Sequence, residues 1–66
     1  MSTSMKLLEA VSVDGFDVHS AEVREVLATA RRRRIAILLC DVVGDDSTPD
    51  TVRSRALRLI LRDLGV

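Results

Sequence analysis

Ile35-Ala36-Ile37-Leu38-Leu39-Cys40-Asp41-Val42-Val43 decides the fold of this chain, because it contains the longest apolar run and sits between two segments of clearer character. The stretch is β-branched at both ends, is closed by Gly44 and carries one charge. An apolar run of this length bounded by a turn residue predicts a strand buried on both faces. A buried helical segment is the rival reading of the same residues, since periodicity alone does not separate the two.

Upstream, Ser20 can cap a helix, with Glu22 and Glu25 in or near its first turn, where carboxylates meet the positive end of the dipole. Val23, Val26, Leu27 and Ala30 then fall on one stripe, as in a helix packed on a single side. Continuing the helix would put Arg34 on that stripe, so it is predicted to run from Ser20 to Arg33.

Further back, Asp14-Gly15 lies between Ala10-Val11-Ser12-Val13 and Phe16-Asp17-Val18. Asp-Gly between alternating apolar residues predicts a hairpin. Leu7, Leu8 and Val11 also fit a helical turn after a Ser4 cap, so strand and helix both remain open for this element.

Downstream, Ser47-Thr48-Pro49-Asp50 supplies a hydroxyl cap, a proline for the first turn and an acid for the dipole, which predicts a helix from Pro49 to Leu64 closed by Gly65. At about 100° per residue, its apolar side chains from Leu59 through Val52 to Leu61 span roughly 200°, with Arg55, Arg58 and Arg62 opposite. Arg53 and Asp63 fall inside the arc and must sit at its margins or find partners.

The elements together predict an α+β domain: a strand or β-hairpin, a helix, a buried strand and an amphipathic C-terminal helix. An all-α domain of three helices is the alternative. Residues 1–66 read as one small domain, with 1–5 a disordered lead-in.

Size and composition set the limits of function. A chain of 66 residues hides only about 60% of its unfolded surface, so its core needs help from crosslinks, metal or association. Cys40 is the only cysteine and His19 the only histidine, which leaves no disulfide and no Cys/His zinc cluster, and makes self-association the expected support. The hydrophobic fraction of 47% is that of a folding chain, yet Phe16 is the only aromatic residue. The N-terminal stretch lacks an uninterrupted signal-peptide core, and Ile35 to Cys40 is far short of the roughly 20 residues that cross a bilayer. A cytoplasmic protein without a membrane partner is expected, and nine arginines against one lysine suggest the GC-rich genome of a bacterial or phage accessory protein.

Charge sums to zero overall but is segregated. Residues 35–50 hold four aspartates and no base, whereas residues 20–34 and 51–66 hold nine of the ten basic residues. Arg31, Arg32, Arg33 and Arg34 could meet phosphates, but cations also gather at helix C-termini for the dipole and the last carbonyls. Successive helical residues point about 100° apart, so the four do not form one flat patch. Arg55, Arg58 and Arg62 share a face and make the better anionic footprint, although the chain has no Asn or Gln to read bases.

Asp41, Asp45, Asp46 and Asp50 match no calcium-loop spacing; Asp41 alternates with Ile35, Ile37 and Leu39 and is expected half-buried, while Asp45, Asp46 and Asp50 read as loop and capping acids. Cys40 in its apolar run reads as an inert core thiol, and His19 as a loop residue before a helix. Gly15, Gly44 and Gly65 are too far apart for a phosphate loop. No catalytic residue, cofactor or metal is therefore expected, and the chain reads as a small regulatory protein-protein interaction module and not an enzyme. Its expected form is a homodimer through Val52, Leu57, Ile60, Leu61 and Leu64 of the last helix. The alternative is a DNA- or RNA-binding regulator that uses the arginines.

Overall fold

The computed structural model describes residues 3–65, and among them the chain forms four α-helices and no strand. In order these are α1 (Thr3–Asp14), α2 (Ser20–Arg32), α3 (Ile37–Val43) and α4 (Asp50–Leu64). The α+β reading is thereby corrected: the predicted buried strand at 35–43 is largely helix, and the predicted hairpin at Asp14-Gly15 is a helix end. The all-α alternative named three helices, where four are found. Residues 1 and 2 of the lead-in expected to be disordered lie outside the described residues, while Thr3 opens α1.

The physical reason for the first correction is visible in burial. Cys40 and Val43 are fully buried, three residues apart, while Ile37 and Leu38 face solvent and Leu39 and Val42 are half-buried. That is a helical period written in uniformly apolar letters, which hides it from sequence. A strand buried on both faces also needs neighbouring strands for its backbone groups, and this chain supplies none among the described residues.

The Asp14-Gly15 pair ends α1. Gly15 takes the left-handed conformation (φ 88°) and its N–H donates to the Val11 carbonyl at 3.0 Å, as glycine beyond a helix end commonly does. Leu7 and Val11 are buried one turn apart, and Phe16 turns inward directly after the bend.

The end of α2 is a Schellman motif. The Arg34 N–H donates to the Arg31 carbonyl (3.1 Å) and the Ile35 N–H to the Ala30 carbonyl (2.8 Å). Arg34 occupies the left-handed position (φ 56°) where glycine is usual, and Ala36, at the start of α3, is left-handed again (φ 49°). Two reversals within three residues turn the chain from α2 into α3.

Before α4, Ser47 does not cap the helix as expected. Its hydroxyl and N–H both donate to an Asp45 carboxylate oxygen (2.6 and 3.0 Å), closing the loop on itself. The first turn of α4 is bonded instead to the Pro49 carbonyl, which accepts from the N–H groups of Val52 and Arg53. α4 is central: it packs against α1, α2 and α3, most extensively against α3. Its inward face is Ala56, Leu57, Ile60, Leu61 and Leu64, all buried. Among the described residues no helix is long and apolar enough to cross a membrane.

Candidate functional site

The residues expected to form a dimer seam divide into two groups. Leu57 and Ile60 are fully buried and Leu61 and Leu64 nearly so, inside this chain's own core. Val52 alone of the five is on the surface, 45% exposed. The wide apolar arc of α4 is therefore mostly answered from within, because three helices surround this one. What remains outside is Val52 and Leu59 (38% exposed), which lie within about 20° of each other on a helical projection.

Arg55, Arg58 and Arg62 are exposed beside them, and Arg55, Arg58, Leu59 and Arg62 line one shallow depression. Arg62 approaches only its neighbour Asp63, at 3.9 Å, and among the described residues Arg55 and Arg58 have no carboxylate partner. The outer face of α4 is thus a basic stripe edged by two aliphatic side chains.

Arg31 to Arg34 form a second, separate basic group at the end of α2, all exposed. Arg31 pairs with Asp41 of α3 at 3.2 Å, and the Arg32 guanidinium donates to the Thr29 hydroxyl at 3.3 Å. Arg33 caps the helix and Arg34 takes the reversed turn, so the run wraps around the helix end. Directly after it come Ile37 (46% exposed) and Leu38 (81% exposed). Sequence reasoning buried both in a strand and so missed this exposed pair.

Arg53, expected at a margin or paired, lies in the middle of the buried arc of α4 and is 8% exposed. Its Nε–H donates to the Val43 carbonyl at 2.9 Å, at the C-terminal end of α3 where a helix leaves carbonyls without partners. The guanidinium carbon stands 4.2 Å from the centre of the Phe16 ring, a cation–π contact with the segment after α1. Asp46 and Asp50 lie 3.9 and 3.8 Å from its terminal nitrogens, both largely exposed and so weakly coupled to it. Arg53 is a clasp between elements. Its mid-face position between Ile60 and Leu57 was the sequence signal for an internal partner.

The remaining polar groups are local. The His19 Nε2 lies 2.9 Å from the Asp14 carboxylate and Nδ1 3.6 Å from Glu22, joining the end of α1 to the start of α2. Its pKa is raised, first by the hydrogen bond to Asp14, which outweighs desolvation, with Glu22 adding to it. The hydrogen bonds from Ser47 hold the Asp45 carboxyl below its ordinary value. Cys40 is fully buried, with its sulfur 3.9 Å from the Ile35 carbonyl, and burial pushes its thiol pKa up. Among the described residues no three His, Cys, Asp or Glu side chains gather as a ligand set for a metal ion.

Comparison with protein-family models, with curated proteins and with solved structures gave no match.

Proposed function

We propose that this chain is a small protein-interaction module whose docking face is the outer side of α4. The observation that carries the reading is the pairing of Val52 and Leu59, left exposed after α4 has packed against three helices, with Arg55 and Arg58, which have no carboxylate partner among the described residues. Aliphatic anchors flanked by charge are the usual make-up of a helical docking face, where the apolar centre gives affinity and the charges choose the partner.

The partner's chemistry follows from the stripe. A twofold pairing of this face with itself would set Arg55, Arg58 and Arg62 against their own copies, and Leu57 and Leu61 lie in the core instead of on a seam. A different protein that carries carboxylates around an apolar contact fits better than a second copy. The test is a photo-crosslinker at Leu59 in the native host, with wild type compared to Arg55→Glu/Arg58→Glu. A single crosslinked protein partner that the charge reversal abolishes supports the reading. A crosslink only to a second copy restores the homodimer, and no crosslinked protein refutes the module.

The nucleic-acid reading draws on the same three arginines. It predicts retention on heparin that falls steeply with added salt. Without aromatic residues on this face to stack bases, and with no Asn or Gln in the chain, such binding would be non-specific.

A further inference from the structure

We infer that the corner between α2 and α3 docks on an anionic phospholipid surface, with Leu38 and Ile37 entering the headgroup boundary and Arg32, Arg33 and Arg34 meeting the phosphates. This site lies apart from the outer face of α4 and does not depend on its reading.

The corner combines two features that separately have ordinary explanations. Cations at a helix C-terminus answer its dipole, and single exposed aliphatic residues are common. Here they are contiguous. Leu38 lies four positions after Arg34, so their Cα atoms are at most about 14 Å apart. Of the four arginines only Arg31 is tied to a carboxylate, that of Asp41, which is also the only acid in α3.

Leu38 is 81% exposed, the second most exposed large apolar side chain among the described residues after Val13, and it is the second residue of α3, just after the reversed turn. Among the described residues two that are not glycine hold left-handed backbone, Arg34 and Ala36, and both belong to this turn. Such conformations are kept where the surroundings or a function require them.

The geometry favours a bilayer over other polyanions. The arginines wrap the helix end, and it is the length of their stems that lets the guanidinium groups turn towards one surface. A fluid headgroup layer needs no register, because long stems let guanidinium groups reach phosphates from several directions. Nucleic acid would also leave Leu38 and Ile37 in water, whereas a lipid surface takes hydrocarbon and cation together. Docking of this kind lies on the membrane and does not span it.

The experiment is vesicle co-sedimentation of the full chain with phosphatidylcholine alone and with phosphatidylglycerol added. Binding is expected only to the anionic vesicles and should weaken with salt. Arg32→Gln/Arg33→Gln/Arg34→Gln should reduce it by roughly a hundredfold, and Leu38→Ser by about tenfold. Arg55→Gln/Arg58→Gln should leave it unchanged, which separates this site from the α4 face. Circular dichroism checks that each variant keeps its helices, and Leu38 is exposed enough for its replacement to spare the fold.

Equal binding to both vesicle types, or to neither, overturns the proposal. So does anionic binding that Leu38→Ser does not weaken, which would mark a general polyanion site, or binding that the α4 variant abolishes.

Discussion

The Nε–H of Arg53 on α4 donates to the carbonyl of Val43 at 2.9 Å, so that a side chain from the core of one helix closes the end of another. Replacing Arg53 by Met keeps most of the stem but orphans the carbonyl and removes the charge from the Phe16 ring. The expected loss is about 2–4 kcal/mol, summing a charge-assisted hydrogen bond and a cation–π contact. Lys should not restore it, because an ammonium cannot offer the Nε–H while covering the ring. Urea denaturation measures both variants, and a loss below about 0.5 kcal/mol would mean the clasp is not holding these helices.

Arg34 and Ala36 carry the opposite expectation. Left-handed backbone costs a residue with a Cβ about 1–2 kcal/mol, and glycine gives back about 0.5–1 of that through the freedom it adds to the unfolded chain. Arg34→Gly and Ala36→Gly should therefore each raise stability slightly, by about 0.5–1 kcal/mol, seen as a higher urea midpoint at unchanged slope. A lower midpoint would mean that the chain does not reverse at these positions.

Leu57 and Leu59, two residues apart on α4, should respond very differently to alanine. Leu57 is fully buried, and its truncation should cost about 3–5 kcal/mol. Leu59 is 38% exposed and should cost less than about 1 kcal/mol. Equal costs would mean that Leu59 is covered in solution, and a stability that depends on concentration would identify the cover as a second copy.

His19 makes stability depend on pH near neutrality. Its folded pKa is raised above the ordinary value of 6.5, so the imidazolium is favoured in the folded state. Its contribution is fully present below the unfolded value and is lost as pH rises through the higher folded value. Melting temperature should thus decline from about pH 6 towards pH 8 through this residue. His19→Gln should flatten that part of the profile, and an unchanged slope would assign it to other groups.

Cys40 should be a slow thiol. Buried and with its pKa pushed up, it holds little thiolate at neutral pH. A thiol reagent should modify native protein far more slowly than protein in denaturant. Equal rates would show that α3 opens readily.

What could be read from the sequence follows what each segment had to contrast. α2 and α4 alternate charged and apolar residues, so their period, their bounds and the exposed Arg55, Arg58 and Arg62 were legible. In 35–43 nearly every residue is apolar, and the choice between helix and strand depended on partners that no local pattern records. Asp14-Gly15 failed for a related reason: glycine with positive φ serves a helix end as well as a hairpin, and only the burial of Leu7 and Val11 distinguishes them. At α4 the width of the apolar arc was correctly seen but attributed to a second molecule, when α1, α2 and α3 of the same chain cover most of it. The exposed Leu38 could not be anticipated, because its exposure arises from the double reversal at Arg34 and Ala36.

The central place of α4 also bears on how the molecule comes into being. On a ribosome it emerges after the three helices that lean on it, and until then their apolar faces have only each other. α2 and α3 can touch, but α1 finds its chief partner in α4, so assembly must wait for the last quarter of the chain. A stall or a cleavage before Asp50 would release a fragment with its sticky faces open, a natural client for chaperones and proteases.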